Sequence, residues 1–233
     1  MVIVMLTKQN VTYPFYSKSI LPVIGTILAL SVTLQYTIAL FPTVTALVPF
    51  VLALCIGCLV GGLLSQILIS PPKNIFDCSI GSIAKIGSQA GIITLGLLLI
   101  PSAVLFSIVL LPVSGMSDTG GLLFVISSTA AVLLFLAAAY LLPITVVVVS
   151  QQGITGVVSN RSTLVLLGRE LDYLTAWVVG FSVVGIGVAP FTYSITAGDL
   201  FGVVAAGMAA YLFIVGVLII SDGIAHDIAT RLS

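Results

Sequence analysis

Of 233 residues, 60% are apolar and 6% are charged, with seven basic side chains balanced by seven acidic ones; mean hydropathy is +1.34. A soluble domain carries roughly 25% charged residues, so this composition excludes a water-covered surface. Zero net charge also gives no basis for nucleic acid as a partner.

The opening stretch Met1 to Leu6 is apolar but short, and no small-residue cleavage site follows it. That pattern predicts a first span that is retained and also directs insertion. A span needs about 20 apolar residues to cross roughly 30 Å of hydrocarbon, and six runs meet that length. The first runs from Ile20 to Phe41 and the second from Val44 to Ile69, joined through Phe41-Pro42-Thr43 as a tight hairpin. The third extends from Gly91 to Val113 and turns at Ser114 to Gly120. The fourth begins near Gly121 and meets Pro143, which breaks or bends a helix; Ile144 to Val149 either continues as a last turn or runs extended. The fifth runs from Tyr173 to Tyr193 and the sixth from Leu200 to Ile220, leaving an interfacial tail, residues 223–233.

Two connections carry a pattern of their own. From Lys73 to Gln89, apolar Ile75, Phe76, Ile80, Ile83 and Ile86 share one helical face, with Lys73, Asp77, Lys85 and Ser88 opposite. This spacing predicts a short helix in the interface plane, burying Phe76, Ile80 and Ile83 and breaking near Gly81 or Gly87. An apolar loop packed on the bundle is the plainer alternative. Leu164, Leu167 and Leu171 opposite Arg161 and Arg169 repeat the pattern more weakly. Lys73, Lys85, Arg161 and Arg169 are therefore the interfacial candidates.

All seven basic residues, Lys8, Lys18, Lys73, Lys85, Arg161, Arg169 and Arg231, fall in segments that would share one side of a membrane. The opposite connections, Phe41 to Thr43, Ser114 to Gly120 and Ile195 to Asp199, carry none. Lysine and arginine hold short loops on the cytoplasmic face, so both termini are expected inside. The expected fold is all-α, a single membrane domain of six transmembrane helices in three hairpins. Its repeat-like units are residues 1–70, 71–150 and 151–222. The sequons at Asn10 and Asn160 then lie inside and are expected to stay unglycosylated.

The chemistry-bearing residues are few. Cys55 and Cys58 form C-x-x-C, with Cys78 and His226 elsewhere. The first two sit mid-span and the others at the surface, ~15 Å apart in depth, which excludes one four-ligand metal site. Neither a metal nor a cofactor is expected. His226, Asp118 and Asp199 read as solvated groups, so no catalytic residue is named and an enzyme is not expected. No lysine lies within a span, which excludes a retinal Schiff base.

Coupled carriers usually place charge within the membrane, and no predicted span interior has any. Gln35 and Gln66 are the buried polar candidates, either bonding helix to helix or lining a path for a neutral solute. Counted from Pro42 at 1.5 Å per residue they lie roughly 10 Å and roughly 35 Å down, too far apart for one filter. Small residues at i, i+4 mark helix-packing candidates: Gly57 and Gly61, Ala176 and Gly180, Ala206 and Ala210.

Tyr13-Pro14, Ser17-Lys18 and Ile24-Gly25, then Tyr140-Leu-Leu-Pro143 with Gln152-Gly153, and Leu171-Asp172-Tyr173 with Ala176-Trp177, together resemble an archaeal family of multi-pass membrane proteins. That family is known only as domain of unknown function 4013. The resemblance implies an archaeal plasma membrane, and it carries over no catalytic residue.

From these features the expected function is a non-enzymatic membrane protein, a structural or accessory subunit of a membrane assembly. Its expected partners are lipids and other membrane subunits or further copies of itself. A small neutral-solute channel or transporter is the alternative.

Overall fold

The computed structural model describes residues 13, 20–69, 79–110, 118–152, 170–197 and 199–231. Among them the chain is all-α, in six long helices: α1 (Ile20–Leu40), α2 (Leu47–Ile69), α3 (Ile80–Leu110), α4 (Asp118–Gln152), α5 (Leu171–Thr196) and α6 (Leu200–Arg231). One turn of 3-10 helix, Val44–Ala46, precedes α2. Each of the six is long and apolar enough to cross a membrane. The six apolar runs of the sequence are thus six helices.

Helix ends follow local chemistry. The Thr43 hydroxyl donates to the Leu40 carbonyl and shares a hydrogen bond with Thr45, satisfying the end of α1. Ser79 caps α3, its Oγ accepting from the Ser82 amide. Asp199 caps α6 in the same way through the Gly202 amide. A side chain at Gly202 would collide with the Ala197 carbonyl, so the α5–α6 turn requires glycine there.

One expectation needs correction and one open choice is decided. The third helix begins at Ile80 rather than Gly91 and passes through Gly81 and Gly87 without a break. Residues 80–89 are therefore the first turns of α3, not a separate interfacial helix. Of its expected apolar face, Ile83 is buried but Ile80 is 77% exposed; residues 70–78, with Lys73 and Phe76, lie outside the described residues. The buried stripe is instead Ile83, Gly87 and Ala90, the i, i+4, i+7 face of one helix. The stretch after Pro143 stays helical as far as Gln152, which settles the choice left open by its β-branched composition.

α6 is the axis of the bundle, with 56% of its apolar window buried, more than any other helix. It packs against α5, α1 and α2, while α3 joins α2 to α4. One core gathers Val23 and Ile27 of α1, Leu63 and Ile67 of α2, Ile83 of α3, and Ala206, Ala210, Ile214 and Leu218 of α6. A second core joins Leu68, Ala90, Ile144 and Val146 to Val148 with Tyr173, Trp177, Ile220 and Ile224. Between helices that lie in lipid these cores are held by close van der Waals packing rather than by removal of apolar surface from water.

Candidate functional site

Pro143 stands inside α4. Proline has no N–H, so the carbonyl four residues earlier, Ala139, has no intrahelical donor. The Trp177 indole Nε1 donates to that oxygen at 3.0 Å. The Tyr173 hydroxyl donates to the next carbonyl, Tyr140, at 2.5 Å. The hydroxyl of Thr145 is shared between the two after it, Leu141 at 3.0 Å and Leu142 at 2.8 Å. Four successive carbonyls ahead of the proline thus each receive a side-chain donor.

The geometry follows from helix spacing. Tyr173, Trp177 and Phe181 stand at i, i+4 and i+8 on one face of α5. Tyr140 meets Tyr173 at a centroid distance of 5.0 Å and Trp177 edge-on at 5.2 Å, and Trp177 stacks on Phe181 at 4.8 Å. Such ring pairs add about 0.5–1.5 kcal/mol beyond area burial. Leaving the part-buried Ala139 carbonyl unmatched would cost up to about 1–3 kcal/mol, the range for a fully buried group. Membrane helices tolerate proline where a neighbouring helix re-satisfies the backbone in this way. What the arrangement does chemically is donate hydrogen bonds and pack rings, with both ring donors engaged on backbone.

Other polar groups between helices are used alike. Ser31 of α1 and Ser194 of α5 share a buried hydrogen bond of 2.8 Å. Ser221 of α6 donates to the Leu68 carbonyl of α2 at 2.8 Å.

The sequence candidates are placed unevenly. Ala176, Ala206 and Ala210 are fully buried. Gly180 lies against α6: a Cβ there would sit 2.5 Å from the Gly216 carbonyl oxygen, and one on Gly216 2.6 Å from the Gly180 oxygen. Gly57 and Gly61 differ, since a Cβ on either meets no atom within 4 Å. The close approach of α2 falls at Gly62, whose added Cβ would collide with the Ile83 carbonyl, and at Gly87, which lies against the Cys58 carbonyl. Gln35 and Gln66 are half-buried on α1 and α2. Lys85 is exposed on α3, while Lys73, Arg161 and Arg169 lie outside the described residues.

Cys55 is exposed and Cys58 half-exposed, both as free thiols. Among the described residues no three His, Cys, Asp or Glu side chains gather as a metal site; Cys78 and the His226 side chain are not among them.

Sequence reasoning gave Tyr173, Trp177 and Thr145 no role in satisfying the α4 backbone. The available signal was a mid-helix proline together with a Tyr-x-x-x-Trp pair at the start of the next span. The segments Tyr140–Pro143 and Leu171–Trp177 are neighbours here. No protein-family model, curated protein or solved structure matches the chain.

Proposed function

We propose that this chain is a non-enzymatic multi-pass membrane protein that serves as a structural or accessory subunit of a membrane assembly. The observation that carries the reading is the use of polar groups inside the helices. Tyr173, Trp177, Thr145, Ser31, Ser194 and Ser221 all bond helix backbone or one another, which is packing chemistry. Exposed aromatics near one end of the bundle, Tyr36 and Phe41 of the α1 end, Tyr193 of α5 and Phe201 of α6, suit a membrane–water interface.

In this reading the helices form three hairpins with both termini cytoplasmic, in the plasma membrane of an archaeon. Membership of the archaeal family rests on the quoted motifs alone. Lipid surrounds the exposed apolar surface, and another subunit or a second copy joins it. The open face at Gly57 and Gly61 is where small residues would admit a further helix.

Native mass spectrometry from mild detergent tests the proposal. A stable hetero-subunit or a defined oligomer is the expected result. Solute or ion flux above background from the purified protein in liposomes would overturn it in favour of a neutral-solute path. Gln35→Leu and Gln66→Leu would then be the first variants to measure.

A further inference from the structure

We propose that Tyr173 and Trp177 form a latch that sets the angle of the N-terminal half of α4, with the turn at Pro143 as its hinge. This stands apart from the accessory-subunit reading, because it rests only on contacts within the chain.

α4 changes character at the proline. Ile144 to Val149 are six consecutive buried residues, whereas Val132 to Ala137 are six consecutive exposed ones. The C-terminal half is thus gripped on every face by the core. Before the proline, α4 has no comparable enclosure among the described side chains. An unbroken helix would transmit the fixed direction of one half to the other through its hydrogen bonds. Pro143 removes one of those bonds, at Ala139, which is where helices bend. The missing bond is supplied from α5 by Trp177, and the adjacent carbonyl is held by Tyr173. Both donors come from one helix, four residues apart, so they act on two successive carbonyls as a rigid pair. Thr145 does not substitute for them, because its hydroxyl belongs to α4 itself and cannot fix α4 against a neighbour.

Removing the two donors while keeping an aromatic ring at each position therefore frees the direction of residues before the proline. Restoring the backbone bond makes the donors dispensable. Pro143→Ala does this, since the new N–H can reach the Ala139 carbonyl.

The test uses the full chain in lipid nanodiscs, with native cysteines changed to Ser and spin labels on Leu133→Cys and Ile186→Cys. Both positions are exposed, on α4 and α5 respectively. The expected result is a single label-to-label distance in the parent and a second or broadened population in Tyr173→Phe/Trp177→Phe. Adding Pro143→Ala to that variant is expected to return the single distance. An unchanged distribution in the double variant, or no narrowing with Pro143→Ala, overturns the proposal.

If the double variant does not fold, the chain's one tryptophan gives a second readout. With Pro143→Ala alone, the Ala139 carbonyl gains its own amide, and the indole N–H vibration of Trp177 should shift toward a weaker hydrogen bond. No shift would equally overturn the latch.

Discussion

At Gly87 the α3 backbone lies against the Cys58 carbonyl, and at Gly62 the α2 backbone lies against the Ile83 carbonyl. Neither neighbour is a side chain that can rotate away, so a single methyl must separate two backbones. Gly87→Ala is expected to destabilise by about 1–3 kcal/mol, the range for overpacking, read as a lower midpoint in detergent unfolding. Gly57→Ala should stay within about 0.5 kcal/mol, as for a surface site. An equal loss from both would mean that Gly57 is also covered. The Ser31–Ser194 bond gives a second measurement at this scale. Ser31→Ala and Ser194→Ala should couple by about 0.6 kcal/mol in a double-mutant cycle, as polar pairs between membrane helices do on average; additive losses would contradict the bond. The i, i+4 glycine rule found the right kind of contact on α2 but the wrong face. A helix apolar on all sides presents no stripe to say which way it looks, and Gly61-Gly62 differ by 100° of helix turn.

The same ambiguity acts on whole elements. Lys85, Ser82 and Ser88 in the first turns of α3 gave the look of a helix lying in the interface, yet α3 continues unbroken from Ile80 through Pro101 to Leu110. The amphipathic pattern held only in part: Ile83 is inside and Lys85 and Ser88 are exposed, but Ile80, expected inside, is exposed as well. What it could not give was the partner, which is Gly62 of α2 rather than lipid headgroups. Ile83→Asp should therefore sharply lower folded yield, since it places a charge at the α2–α3 crossing. Ile80→Asp and Ser82→Asp, both on exposed positions, should be tolerated. Size-exclusion profiles of the three variants decide this, and a monodisperse Ile83→Asp would refute the crossing. In α4 the missing backbone donor at Pro143 was legible from one residue, but the side chains that replace it were not. Trp177 lies 34 positions away in the chain, and only the fold brings its indole to Ala139.

Across the molecule, run length and composition were enough to count six helices and to locate the tight connection at Phe41–Thr43. The central place of α6 was not legible, because α2 and α4 are about as apolar as α6 and burial among them depends on neighbours. Its small residues, Ala206 and Ala210 with Gly216, let α1, α2 and α5 approach one axis. Orientation is a separate question, since packing inside the bundle is the same whichever way it is inserted. It rests on where the charges fall. Lys85 at the start of α3 is exposed and belongs to the basic set, while Asp118 opens α4 at the far end of the α3–α4 connection. Moving a lysine across the bilayer is opposed during insertion, and short loops bearing Lys or Arg stay cytoplasmic. Single cysteines at these two positions, in a background without native cysteines, should respond differently to a membrane-impermeant thiol reagent. Asp118→Cys should label in intact cells. Lys85→Cys should label only after the membrane is permeabilised. The reverse pattern would invert the protein, and labelling of both in intact cells would show that α3 does not cross the membrane between them.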